Sequence, residues 1–239
     1  MTKKVFALDT AAGIQRDGTV LDKTFYNDGR WVRFQRARPR KILGYRQVVE
    51  DLAGPSRGIY VNPQNNFNYV FNGYSDGLQV LPITNTGIGS GISDFTLSGF
   101  TPSNENVWQF DTFYDTSGGG QAQLVAHPSQ SISDIASNID TPVLLGNITG
   151  TTMAAMNDGT SDIEVSGGVV VLHPYVFVYG NNGLIRNCSA GNTNDWVSAD
   201  ANEVSVATGK IVQGLPVRGG SNAPSGLFWS LDSLIRVSF

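Results

Sequence analysis

Apolar residues gather in short runs along this chain, and Gly, Asn and Asp cluster in the breaks between them. Arg57-Gly58-Ile59-Tyr60-Val61 and Phe67-Asn68-Tyr69-Val70-Phe71 are two such runs. Leu78-Gln79-Val80-Leu81 follows after the turn signal Tyr74-Ser75-Asp76-Gly77. Strand, tight turn, strand is the reading that this pattern requires. The device recurs. Residues 107–113 precede the loop Gly118-Gly119-Gly120, and 121–126 follow it. The long apolar run 169–179 is read as a strand that meets the turn Gly180-Asn181-Asn182-Gly183, with 184–188 beyond. Residues 226–229 lead through Ser230-Leu231-Asp232 into 234–239.

One leucine marks each second strand: Leu78, Leu124, Leu184 and Leu234, spaced 46, 60 and 50 residues apart. A loose period of this length with several strands per unit is the mark of β-propeller blades. Near-continuous apolar runs such as 169–179 suit strands covered on both faces, as stacked blades cover them. An evenly spaced β-sandwich is the alternative. The last strand stops at Phe239 with no partner after it, so the propeller is expected to be incomplete at its C-terminus, to be closed by a longer chain or by another segment. A single window has helical spacing, Ile132, Ile135 and Ile139 within 129–140, and it predicts at most a turn of helix in a loop.

The first 55 residues read as a separate extended arm, and 56–239 as the propeller body. Asp17-Gly18 and Asn27-Asp28-Gly29 are turn signals, and Trp31-Val32-Arg33-Phe34 alternates in part as a half-buried strand does. Proline at 39 disfavours helix before it, so 35–41 is expected to be an extended cationic connector. Composition agrees with an all-β fold. Gly is abundant at 28 residues, and Gly and Asn supply the positive-φ positions that tight turns need.

Charge changes the picture more than composition does. Residues 1–46 hold 11 Lys/Arg against 4 Asp/Glu, a net +7, and the rest hold 5 against 16, a net −11, which together make the −4 of the whole chain. A basic arm that serves an acidic body or an acidic neighbour explains the asymmetry; an ordinary solvated basic face is the alternative. The candidate interface residues are Arg30, Trp31, Arg33, Phe34, Arg36, Arg38, Arg40, Lys41 and Arg46. Arg forks suit carboxylates as well as phosphates, and Arg and Trp are enriched at protein interfaces. Trp31 and Phe34 could also stack on single-stranded bases. With an acidic body in the same chain, protein–protein contact is favoured over DNA.

The search for chemistry finds little. His127 and His173 each precede proline, and backbone geometry at strand ends accounts for them better than catalysis does. Neither a zinc spacing nor a nucleophile elbow is present. Gly87-Ile88-Gly89-Ser90-Gly91 lacks the lysine and the helix of a phosphate loop. Asp111 and Asp115 read as exposed loop acids rather than a glycosidase pair. Asn157-Asp158-Gly159 and Asn194-Asp195 read as turns, not calcium loops. Cys188 is the single cysteine, read as core and compatible with a reducing cytosol. The run Val5-Phe6-Ala7-Leu8 is too short for a signal sequence, and no stretch has the length of a membrane span. The chain is expected to be no enzyme and to need no cofactor or metal.

Two stretches near the start, 13–19 and 26–42, resemble the opening of a family of phage structural proteins. So do Asn181-Asn182-Gly183-Leu184-Ile185-Arg186, Asn194-Asp195-Trp196, 210–220 and 226–238. Together they resemble the tail nozzle, or hub and packaged-DNA stabilisation, proteins of podoviruses, whereas 85–165 matches only in character. The resemblance implies a propeller-bearing virion subunit, assembled in host cytoplasm into a ring of copies of itself, six-fold in the family. That ring sits below the portal and adaptor proteins, offers seats for fibres or spikes, and passes genomic DNA without sequence-specific binding. It implies no enzyme activity. The rival reading is a carbohydrate-binding propeller that recognises a host surface, with Trp196 beside Asn194 and Asp195 as its clue; a core position for Trp196 is the favoured alternative.

Overall fold

The computed structural model describes residues 11–16, 26–42, 44, 47, 51–84, 86–88, 91–116, 120–130, 140–217 and 225–238. Arg46, the Gly118-Gly119 pair, the isoleucines of the helical window, Asp17-Gly18, Gly89-Ser90 and Phe239 lie outside these residues. The protein is all-β, built of antiparallel sheets, with no α-helix among the described residues. It divides into two compact units, Met1–Gln47 and Val48–Phe239.

The smaller unit is a hairpin of β1 (Val32–Gln35) and β2 (Arg38–Lys41). The stretch expected to be an extended connector therefore doubles back. The two-residue turn Arg36-Ala37 joins Gln35 to Arg38. Pro39 sits in the second strand opposite Phe34, an edge position where its missing N–H is tolerated.

The larger unit is a succession of meanders. β3 (Gly58–Gln64), β4 (Phe67–Tyr74) and β5 (Gly77–Thr84) pair in order, and the short β6 (Gly87–Ile88) and β7 (Ser93–Asp94) both pair with β5. Asn65 and Asn66, both at positive φ, make the first tight turn, the conformation asparagine tolerates best after glycine. Next come β8 (Asn106–Tyr114), β9 (Ala122–Gln130), β10 (Thr141–Pro142), β11 (Leu144–Asn147), β12 (Ala154–Ala155) and β13 (Glu164–Val165). The second sheet has the order β12-β11-β9-β8, while β10 pairs with β13. Ser129 and Gln130, the start of the helical window, belong to β9.

The run 169–179 is two strands, not one. β14 (Gly168–Leu172) and β15 (Tyr175–Tyr179) fold back on each other at His173-Pro174, whose peptide bond is cis. A 3-10 turn at Asn181–Gly183 leads to β16 (Leu184–Asn187) and β17 (Asn202–Ser205), completing the third sheet. β18 (Ile211–Pro216), β19 (Ser225–Ser230) and β20 (Leu234–Ser238) form the fourth, three-stranded sheet. The first strands of the four sheets begin 48, 62 and 43 residues apart, and the widest interval holds β10 to β13.

Successive sheets pack face to face, and alternation along each strand decides which neighbour a residue meets. Phe71, Leu78, Trp108, Leu124 and Leu144 form a core between the first and second sheets. Phe113, Val125, Val169, Val171, Val176 and Val178 form another between the second and third. Val170, Leu172, Phe177 and Tyr179, the alternate residues of β14 and β15, turn instead toward Ile211 and Phe228 of the fourth. This two-sided burial explains why the strands read as unbroken apolar runs.

The sheets approach closely because glycines make room. A Cβ on Gly73 would lie 2.2 Å from the Trp108 ring. That ring is held by its Nε1–H, which donates to the Tyr74 carbonyl at 2.9 Å, and it stacks on Phe110 at 7°. Gly73→Ala should therefore lower stability by about 1–3 kcal/mol through overpacking, read as a lower urea midpoint with an unchanged m-value.

His127 stands in the middle of β9, not at a strand end, and is fully buried. Its Nε2 lies 3.0 Å from the Val165 carbonyl and 2.9 Å from the Thr141 hydroxyl, while Nδ1 has no partner. Burial pulls its pKa down to about 4. The unfolded chain takes up this proton below the ordinary histidine value and the folded chain does not. The resulting stability is full above about pH 6.5 and is lost as pH falls toward 4, by about 3 kcal/mol. His127→Gln should lose less stability than the parent between pH 7 and pH 4.5, measured by urea unfolding at both.

Candidate functional site

The hairpin of the small unit gathers the candidate interface residues. Its register sets Arg33 opposite Arg40, Gln35 opposite Arg38, Phe34 opposite Pro39 and Val32 opposite Lys41. Directly paired residues share a face. One face is therefore cationic, with Arg33, Arg38 and Arg40 around Gln35. The other carries Val32, Phe34 and Pro39, with Tyr26 packed on Phe34 at a centroid distance of 5.6 Å. Val32 and Phe34 are half-buried, whereas Arg30, Arg33, Arg36, Arg38, Arg40 and Lys41 are all exposed. Trp31 is 62% exposed, and its carbonyl accepts the Ile42 N–H at 2.7 Å. The structure thus unites eight of the nine residues on one small element, and the ninth, Arg46, is outside the described residues.

Two features of this hairpin run against local preference. Arg33 and Arg40 are like charges directly opposed, a destabilising cross-strand pair. Arg36 and Ala37 occupy a turn in which both φ are positive, at 50° and 60°, and Trp31 has a φ of 59°. Asn-Gly is the usual solution for such a turn, and other residues in this region cost of order 1 kcal/mol or more each. Neither arrangement serves the hairpin's own stability. Both present guanidinium groups outward. Among the described residues the salt bridges are those of Arg186, to Asp158 at 3.2 Å and Glu203 at 3.4 Å, so no arm cation is neutralised by a described acid.

The other candidates settle into structural roles. Trp196 is 4% exposed, donates to the Thr193 carbonyl and lies under the Arg186 guanidinium at 5.4 Å. It is a core residue, which removes the clue on which the carbohydrate reading stood. Cys188 is buried, accepts the Val176 N–H, and its thiol is pushed up to about 12 by burial. Asp158 and Asp195 each accept two backbone N–H groups of their own turns; Asp158 is held below the usual carboxylate range mainly by those bonds, and Asp195 first by the Ser198 hydroxyl and then by its two. No group of three His, Cys, Asp or Glu able to hold a metal occurs among the described residues.

Asp111 differs from the exposed loop acid expected. It sits in β8, half-buried, where one carboxylate oxygen accepts the Thr112 N–H and the other the Val171 N–H, both at 2.8 Å. Burial raises its pKa. Its alternation with Phe113 and Gln109 points it at the third sheet, a placement that only the packing of two sheets reveals. A scan against protein-family models finds no match, and neither do searches of curated proteins and of solved structures.

Replacing the turn by its favoured residues, Arg36→Asn with Ala37→Gly, should tighten the hairpin. Exchange of the Ile42 amide should slow by about tenfold. An unchanged rate, read by hydrogen exchange and mass spectrometry, would mean the turn is not strained.

Proposed function

We propose that this chain is a structural subunit of a bacteriophage tail, a nozzle or hub protein whose arm joins it to neighbouring subunits. The observation that carries the reading is the cationic face of the hairpin. Arg33, Arg38 and Arg40 are exposed, crowded and without an acidic partner among the described residues, on an element whose turn is built from unfavourable residues. An acidic surface on a neighbour relieves that crowding and forms charge-assisted hydrogen bonds. The resemblance of 13–19, 26–42 and the later segments to podovirus nozzle proteins supports the same role. So does a body of consecutive antiparallel meanders stacked through their first strands, which suits a β-propeller-like build.

In this reading the copies form a ring below the portal and adaptor proteins, in the tail of a virion assembled in host cytoplasm. The acidic body surrounds a channel without gripping DNA, because like charges repel and a binding wall would stall transit. The basic arms supply cohesion between copies, or between ring and adaptor. Fibres or spikes attach on the outside. No chemical step is asked of any residue.

The test is assembly as a function of salt. The purified chain, alone and with portal–adaptor complex, should form rings in about 50 mM salt that loosen near 0.5 M, where charges are screened within a few ångströms. The triple variant Arg33→Glu, Arg38→Glu, Arg40→Glu changes only exposed side chains and should fold normally yet fail to assemble. Rings of the triple variant in negative-stain images, equal to those of the parent, would refute the docking role.

A further inference from the structure

The body carries a groove. β8, β14 and β18, the first strands of three consecutive sheets, lie side by side. Along them run two adjoining hollows of about 370 and 320 Å³ that share Gln109 and Gln213. Gln109 is locked in place: its Nε2 donates to the Gly167 carbonyl at 3.0 Å and its Oε1 accepts the Tyr179 hydroxyl at 2.8 Å. Gln213 stands exposed at the lip. Asp111 lines the second hollow together with Phe110, Leu215 and Pro216. It has no cationic partner among the described residues. Each of its oxygens uses one acceptor site on a backbone N–H and keeps another. Lys210 lies at the far end, in the first hollow.

We propose that this groove receives the hairpin tip of a second copy of the chain, with the Arg36 guanidinium on the Asp111 carboxylate. The inference rests on the assembly reading above and names the receptor for the arm. Three observations select the occupant. Asp111 is a half-buried anion that desolvation destabilises, and a guanidinium fork compensates such a group best. The apolar flank suits the methylene stem of arginine. The hairpin ends in a two-residue turn that places Arg36 at its tip, the narrowest presentation a pair of strands can make. Because groove and tip are different surfaces, the contact is head-to-tail and generates rings where the rotation closes.

Four full-length variants test this by sedimentation in low salt. Asp111→Asn removes the charge and keeps an acceptor for Val171. Gln213→Lys places a cation at the exposed lip, and Arg36→Asp reverses the tip. Each should weaken self-association about tenfold or more, and Arg36→Asp combined with Gln213→Lys should restore it. If the Arg33, Arg38, Arg40 reversals abolish association while Asp111→Asn and Gln213→Lys leave it intact, the groove is wrong and the arm's docking role stands. If the arginine reversals also have no effect, both fall. Arg36→Cys with Gln213→Cys, joined by a short thiol cross-linker, should give products of two chains or more; Cys188 is buried and silent. Products confined to single chains would overturn the second copy as occupant.

Discussion

Strand β8 makes two interfaces at once, and the body depends on it. Its even residues serve the first sheet: Trp108 fills the space left by Gly58 and Gly73, Phe110 packs near Tyr60, and the Thr112 hydroxyl meets Tyr60 and Asn62 at 2.7 and 2.9 Å. Its odd residues serve the third: Gln109 bonds Gly167 and Tyr179, Asp111 takes the Val171 N–H, and Phe113 enters the valine core. Polar groups buried between sheets are stabilising only when satisfied. Here each bond crosses from one sheet to the next, so they fix the sheets' relative positions as well as satisfying themselves. Apolar contact is less directional and would tolerate sliding.

The arm follows the opposite logic. Its strands are short, its faces are largely solvated, and its local choices conflict with its own fold. Opposed arginines and a turn of Arg-Ala at positive φ are the kind of inconsistency that marks a functional segment when the rest of a chain is locally consistent. The body offers the contrast: its comparable turn is Asn65-Asn66, which meets the same backbone demand at little cost. Two turns of one geometry are filled very differently, a contrast that the proposed docking role of the arm accounts for.

The two units carry opposite net charge, which specifies no geometry. An arm of +7 and a body of −11 attract over distances of about a Debye length, which in the proposed assembly favours encounter between copies. Specific seating needs a partly desolvated anion, and Asp111 is one, held by backbone donors and flanked by apolar groups.

Much of the architecture was legible in the sequence because strand alternation and turn chemistry are local. The hairpins around 74–77 and 230–233 follow from apolar runs broken by Ser75-Asp76-Gly77 and by Ser230-Leu231-Asp232-Ser233. The basic cluster was visible from composition alone, and so was the division into arm and body charges. Other features needed the tertiary structure. The run 169–179 is interrupted only by His173-Pro174, and that the chain reverses there to pair its two halves is seen only in the structure. The cationic stretch 35–41 carries no Gly or Asn, so nothing local announced its turn. For Trp196 the sequence favours a core position without naming its neighbours, and the structure supplies the Arg186 guanidinium over its ring. Asp111 became a candidate only when β14 and β18 were laid beside β8, because a groove between strands distant in the chain is set by which sheets stack, and periodicity within a strand does not encode its neighbour.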